Sequence, residues 1–218
     1  MKKGVLLLSG GLDSSTVLAW MKKEGYAVYA LSFSYGQRHS YEMECVQRIV
    51  EKNAVVDHKV VQIDLRAFGG SALTSDVEVP KNSYGESKTV PVTYVPARNT
   101  IFLSFALAYA EVIGSFDLFF GANSIDFSNY PDCRPEFVES FEKMANLATA
   151  AGNQGRGFKI HAPLLHLNKA EIVRLGLSLG VDYSLTHSCY DPGPQGVSCG
   201  ECDACHLRLK GFRENGIQ

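Results

Sequence analysis

A chain of 218 residues, 45% hydrophobic and 20% charged, buries one full-sized core with at most a small appendage. A net charge of −2 argues against a protein whose main task is to grip a long nucleic acid, and no apolar run approaches the roughly 20 residues of a membrane span. The opening MKKGVLLLSGG has a basic end, but its apolar run, Val5 to Leu8, falls short of the roughly 7–15 residues of a signal-peptide core. A cytoplasmic chain is therefore expected. Six cysteines in such a setting point to metal binding or chemistry rather than to disulfides.

Helical and strand patterns alternate along the chain, which predicts an α/β fold: an open parallel sheet with helices on both faces. Val5 to Leu8 reads as a buried parallel strand that runs into SGGLDSST, where a tight turn opens a helix over 13–25. A strand over 27–33, a helix over 41–53 and a strand over 58–63 follow. Residues 66–97, with Gly69, Gly70, Pro80, Gly85, Pro91 and Pro96, lack apolar periodicity and form a long loop of the kind usually kept for function. An apolar helix over 100–113 comes next, then a strand over 117–120. A helix over 135–151 has Pro135 at its first position, and a short strand covers 159–162. A last helix ends near Gly180, with Asn168 and Glu171 in a capping pattern. Two units are expected, a nucleotide-binding domain over 1–185 and a cysteine-rich segment over 186–218 packed on it. A homo-oligomer, a dimer, is also expected, with helix 100–113 serving as core or interface.

The string SGGLDSS at 9–15 carries the most chemistry. A strand ends, two glycines permit a sharp turn, and a helix begins, so successive backbone N–H groups aim at one point with the positive end of the helix dipole behind them. Ser9, Ser14 and Ser15 add hydroxyl donors. The ligand such a turn fits is a phosphate or pyrophosphate. No GxxxxGK[ST] or GxGxxG is present, so neither the common P-loop nor a dinucleotide fold is indicated. The residues assigned to ATP are Leu8, Ser9, Gly10, Gly11, Leu12, Asp13, Ser14, Ser15 and Thr16. Asp13 reads either as a residue near Mg²⁺ or as the helix cap.

In the tail, CYDPGPQGVSCGECDAC places Cys189, Cys199, Cys202 and Cys205 in a C-x9-C-x2-C-x2-C pattern. Four thiolates with CxxC turns close a tetrahedral shell, which points to one structural Zn²⁺; an iron–sulfur cluster takes the same ligand set. Cys45 and Cys133 stand apart from it, Cys45 as a buried small hydrophobe. His187 and His206 flank the cluster and read as surface histidines.

Three further strings, YGQRHSYE (35–42), TYVPARN (93–99) and GANSIDFSNYPDCR (121–134), fall in loops after strands, where an α/β sheet collects ligands. Arg38, Tyr94, Arg98, Asn99, Asp126, Tyr130, Asp132 and Arg134 are the candidate substrate contacts. Aromatics stack on a planar heterocycle, acids accept amine hydrogens, and arginine grips a carboxylate. Asn99 equally suits a helix cap, and Arg98 a solvated position before the helix.

SGGLDSS is the signature that resembles the N-type ATP pyrophosphatases. Taken with SGGLDSST, YGQRHSYE, TYVPARN, DFSNYPDCR, LNKAEI and the four-cysteine tail, the chain resembles, nearly end to end, the nitrile-forming ligases of queuosine-precursor biosynthesis within that family. The resemblance implies an ATP-dependent carbon–nitrogen ligase with Mg²⁺. The 7-carboxylate of a deazaguanine attacks ATP to form an acyl-adenylate, ammonia displaces AMP to give the amide, and a second ATP converts the amide to the nitrile. The implied partners are the small deazaguanine acid and ammonia, with no direct nucleic-acid partner and no membrane. Asp13, Ser14, Lys169 and Arg98 are the catalytic candidates; Lys169 falls where the family places a lysine near the phosphates, although a solvated helix-start lysine is the alternative. Ala97 and Asn129 stand where that pattern usually has glycine. A sulfur-inserting tRNA enzyme would want a basic face that net charge −2 does not supply, and a non-catalytic zinc module for nucleic acid would leave SGGLDSS without a use.

Overall fold

The computed structural model describes residues 1–38, 41–82, 90–123 and 130–217. Five parallel strands form one sheet: β1 (Lys2–Leu7), β2 (Tyr26–Ser34), β3 (Asp57–Gln62), β4 (Asp117–Phe119) and β5 (Lys159–His161), in spatial order β3-β2-β1-β4-β5. In β1 successive side chains alternate between the two faces. Val5 joins a core with Leu31, Phe33, Leu103, Leu107 and Phe141, while Leu6 and Leu8 join Val17, Leu18, Val46, Ile172 and Val173 on the opposite side. Helices must therefore cover both faces, and a buried strand reads as a continuous apolar run instead of an alternating one.

One layer holds α1 (Leu12–Lys23), α2 (Tyr41–Lys52) and α5 (Lys169–Ser178); the other holds α3 (Arg98–Ile113) and α4 (Pro135–Ala148). Phe119 is fully buried against Tyr26, with ring centroids 4.9 Å apart, and lies flat on His161 at 4.4 Å. Burial of one such ring stabilises by about 1.5–3 kcal/mol.

The expected fold class is present, and most element bounds agree to within two residues. The expected helix over 135–151 is broken. Thr149 adopts extended backbone (φ −114°, ψ 152°), and its Oγ1 accepts the Gly152 N–H to start a separate turn, Ala150–Asn153. The capping box of α5 is formed in full, Asn168 accepting from the Glu171 N–H and Glu171 from the Asn168 N–H.

The cysteine-rich segment contains a helix that the sequence pattern did not disclose, α6 (Asp203–Arg213). It lies on α5 at Gly211, where an added Cβ would sit 3.0 Å from the Lys169 carbonyl oxygen. Asn215 Nδ2 ties the two helices by donating to the carbonyls of Ala170 (2.9 Å) and Gly211 (2.8 Å). No helix among the described residues is long and apolar enough to cross a membrane.

Candidate active site

The chain leaves β1 toward β2 on one side and later crosses to β4 on the other. The strand order therefore reverses between β1 and β4, and a crevice opens beyond their carboxyl ends, the usual ligand position in such sheets. A cavity of about 250 Å³ lies there. Its floor is Leu8, Ser9, Gly11, Leu12, Asp13 and Ser14 from the turn after β1, with Phe120, Gly121 and Ala122 from the exit of β4.

Two glycines make this junction possible. Gly10 has φ +79°, and a Cβ there would lie 2.6 Å from the Glu42 carbonyl oxygen; a Cβ on Gly121 would lie 3.2 Å from the Ser14 amide nitrogen. The first intrahelical bond of α1 runs from Ser15 N–H to Gly11 O, so the amides before it have no carbonyl partner within the helix. Ser9 Oγ and Ser14 Oγ lie 3.1 Å apart, and Ser9 Oγ also accepts the Gly11 N–H. Gly10, Ser15 and Thr16 do not line the cavity. Ser15 Oγ turns back to the Gly11 carbonyl, and Thr16 Oγ1 donates to Leu12 O and meets the Tyr183 hydroxyl at 2.8 Å.

Asp13 does not cap α1: the N-cap is Gly11, with no side-chain cap. The Asp13 carboxylate accepts both bonds of a forked ion pair from Lys169 Nζ, at 2.9 and 2.8 Å, and a third from Asn123 Nδ2 at 3.2 Å. A lysine at the first position of α5 opposes that helix dipole, and Asp13 offsets the cost while holding the ammonium at the cavity wall.

Arg98 opens α3 and also lines the cavity. Burial opposes its charge, but Tyr35, Asp132, Cys133 and Tyr190 outweigh burial and hold the guanidinium pKa above its ordinary value. Asp132 and Asn99 form the seat of this helix. Asp132 Oδ2 accepts the Asn99 N–H at 2.9 Å, and Asn99 Nδ2 donates to Asp132 O at 3.1 Å and Cys133 Sγ at 3.0 Å. Ala97, just before it, is left-handed (φ 54°, ψ 22°), a conformation that glycine adopts more readily than alanine. Tyr94 and Tyr130 form an aromatic wall, with ring centroids 6.0 Å apart at 30°. Arg38 and Arg134 are not among the lining residues; Arg38 donates to Val77 O at 2.8 Å and steadies the loop, and Arg134 is exposed. Asp126 and Asn129 lie outside the described residues.

The lining residues that the sequence did not single out include His187, Arg208 and Glu42. His187, expected at the surface, is buried and packs edge-on against Tyr41 with ring centroids 5.1 Å apart. Arg208 of α6 donates to Tyr183 O (2.9 Å), Thr186 Oγ1 (2.8 Å) and Ser188 Oγ (3.2 Å), and burial lowers its pKa. Glu42 stands at the start of α2, and burial pushes its carboxyl up to about 7 against the pull of Arg98. A signal existed for it: Glu42 continues the buried stripe Cys45, Val46 and Ile49 at helical spacing, so an acid sits where an apolar residue is expected.

The four tail cysteines converge. The Sγ atoms of Cys189, Cys199, Cys202 and Cys205 all lie within 4.8 Å of one another, whereas Cys45 and Cys133 are separate and buried. Backbone N–H groups point at the sulfurs, among them Cys199 N to Cys189 Sγ and Cys202 N to Cys199 Sγ, both at 3.3 Å. Contacts from Cys189 and Cys205, with the Tyr190 and Cys205 N–H groups, hold the Cys202 thiol well below its usual range. Tetrahedral zinc with bonds of about 2.3 Å separates its sulfurs by about 3.8 Å, and the donor set fits it; a cuboidal iron–sulfur cluster would hold the thiolates farther apart. This segment also reaches the SGGLDSS turn directly, through the His187 N–H to Gly10 O bond at 3.0 Å.

The chain matches known proteins over nearly its whole length. The family model described as queuosine biosynthesis protein QueC covers residues 3–216. A 7-cyano-7-deazaguanine synthase of Geobacter metallireducens is 63% identical over 217 residues, 99% of this chain and 91% of that protein. One of Citrifermentans bemidjiense is 62% identical over 216 residues, 99% of this chain and 95% of that protein. Among solved structures, the NMN synthetase of Francisella tularensis shares the fold at 18% identity, with a TM-score of 0.53 over 99% of this chain and 77% of that one.

Proposed function

We propose, from the premise that the chain belongs to the family of the queuosine biosynthesis protein QueC, that it converts 7-carboxy-7-deazaguanine and ammonia to 7-cyano-7-deazaguanine at the expense of ATP. The observation that carries this reading is one cavity lined by the SGGLDSS turn, the Asp13–Lys169 pair, Arg98 and the Tyr94–Tyr130 wall.

Each group has work of a fitting kind. The open amides of α1 and the hydroxyls of Ser9 and Ser14 suit the pyrophosphate that leaves when the substrate oxygen attacks the α-phosphate. Lys169 and Arg98 stand where they stabilise charge as it moves onto phosphate. Asp13 is occupied by Lys169, so Mg²⁺ is read as arriving on the ATP phosphates. Tyr94 and Tyr130 offer faces to the flat heterocycle. Structural zinc on Cys189, Cys199, Cys202 and Cys205 would supply folding energy to residues 186–218, which in turn supply Arg208 and His187 to the cavity wall.

A carboxylate carries two oxygens and a nitrile none. Hydroxide is too poor a leaving group near neutrality, and AMP is a good one, so two successive adenylations at one turn suffice, with the primary amide between them. The test is product analysis by mass spectrometry after incubation with ATP, ammonia and 7-carboxy-7-deazaguanine, expecting nitrile with two AMP per turnover. Supplied with the amide and ATP but no ammonia, the protein should give nitrile with one AMP; an inert amide, with the acid still converted, would remove the two-step sequence.

A further inference from the structure

Nitrogen enters the proposed reaction with three hydrogens and leaves in the nitrile with none, so three protons must pass to an acceptor near the acyl carbon. Among the described residues three carboxylates line the cavity: Asp13, Asp132 and Glu42. Asp13 is committed to Lys169 and Asn123, and Asp132 to the Asn99 amide. Both are acceptor-only anions with strong donors already in place. Glu42 differs, since among the described residues its carboxylate makes no hydrogen bond or ion pair. Its backbone is held against the SGGLDSS turn, because the Glu42 carbonyl oxygen lies so close to Gly10 that a Cβ there would be 2.6 Å away, and its side chain lines the cavity. Resting on the function proposed above, we infer that Glu42 is the proton acceptor for the attacking nitrogen, and that ammonia binds between Glu42 and the phosphate turn.

In the first round the ammonia lone pair forms the C–N bond, and the carbonyl π pair moves onto oxygen. Glu42 takes one proton from the now-cationic nitrogen. The oxygen pair returns, and the C–O bond to AMP breaks with its electrons leaving on AMP. Glu42 passes its proton to water before the second round. There the amide oxygen attacks the α-phosphate and displaces pyrophosphate, while nitrogen loses a second proton to Glu42. Glu42 passes this proton to water in turn and takes the third as the N–H electrons close the carbon–nitrogen triple bond and the C–O bond breaks with its electrons leaving on AMP.

The electrical setting suits an acceptor that must also release. Arg98 of α3 acts on the Glu42 carboxyl, and the Glu42 charge in turn raises the Tyr35 hydroxyl, in the loop after β2, and the Cys45 thiol of its own helix. Asp13, Lys169, His187 and Arg208 line the same cavity. Burial raises the carboxyl pKa to about 7, close to the working pH at which a general base is most effective.

The test uses the full-length protein and Glu42→Gln, which keeps volume and removes basicity. Ammonia-dependent amide formation should fall by about 10²–10⁴-fold, the usual weight of general base catalysis, while pyrophosphate exchange driven by the deazaguanine acid falls less than about tenfold. Hydroxylamine is largely neutral at pH 7 and a better nucleophile, so hydroxamate formation should fall far less than amide formation. Amide-to-nitrile turnover, which needs no ammonia, should rise with pH through about 7 in the unaltered protein and lose that limb in the variant. Amide formation kept within tenfold overturns the assignment, as does exchange lost to the same degree. If Glu42→Gln fails to fold, Glu42→Asp carries the test: the limb should persist with a lower plateau, and its loss overturns the idea. Absence of acid-dependent exchange in the unaltered protein would instead remove the proposed activity, and the role of Glu42 with it.

Discussion

The two ends of the sheet both hold buried acids beside cations, and they have opposite characters. At the amino end Asp117 of β4 is buried and accepts from Lys2 Nζ at 2.9 Å, with His161 Nε2 at 2.7 Å. Lys3 Nζ meets the last carbonyls of α3, donating to Ile113 O at 2.8 Å, so the negative end of that helix is satisfied as well. At the carboxyl end the N-termini of α1, α3 and α5 converge on one cavity. Parallel strands send every crossover helix back in the same direction, so open amides gather at one end and carbonyls at the other. Closed networks at the first end serve stability; at the second, among the described residues, Glu42 has no bonding partner, and the first amides of α1 have no carbonyl partner within the helix.

The largest effect should come from removing the support of the reactive end alone. His187, Ser188 and Arg208 belong to the cysteine segment, so Cys202→Ser, or chelation of the metal, should cost several kcal/mol of folding energy. This would lower Tm by roughly 10 °C or more and reduce soluble yield. Metal analysis should find one zinc per chain, and an unchanged Tm on metal removal, or an iron–sulfur absorption band, would contradict the assignment.

Next in size is a crossed pair of substitutions. Asp13→Ala, Ser14→Ala or Lys169→Ala should lower adenylation by two or more powers of ten with little change in Tm. Asp117→Ala should do the reverse. It strands His161 and the charge of Lys2, costs about 1–3 kcal/mol, and leaves AMP release per folded molecule nearly intact. Near-normal AMP release from the first set would take the phosphate turn out of the mechanism.

A smaller effect separates charge from packing. Glu42 has a folded-state pKa of about 7, above its unfolded value, so the folded form binds the extra proton between the two. Stability from this group is fully present below the unfolded pKa, and it is lost as pH rises from the ordinary carboxyl range through about 7. Glu42→Gln should therefore raise Tm at pH 8 and leave it almost unchanged at pH 4; a gain of equal size at both would point to packing instead. Smallest of all, Ala97→Gly should raise Tm by about 1–3 °C, because a left-handed alanine costs roughly 1 kcal/mol more than glycine.

What was legible in the sequence was local. Alternating strand and helix patterns disclosed the layers, two glycines after a strand disclosed the tight turn into α1, and paired CxxC spacings disclosed a four-sulfur cluster, because each depends on neighbours within a few residues. The break at Thr149 was not legible, since an unbroken apolar period continued past it. Nor was α6, whose helical stripe was masked by the ligand cysteines. The site itself was legible by string but not by membership. Arg38 and Arg98 both sit in or beside loops after strands, yet one is spent on the Val77 carbonyl and the other lines the cavity. Asp13 joins Lys169 across 156 positions, and Glu42, His187 and Arg208 reach the same cavity from separate segments. Whether a charged side chain is bound, buried or free to react depends on what packs against it, and that is decided by the crossing of β4 beside β1 and the folding of the cysteine segment over the turn.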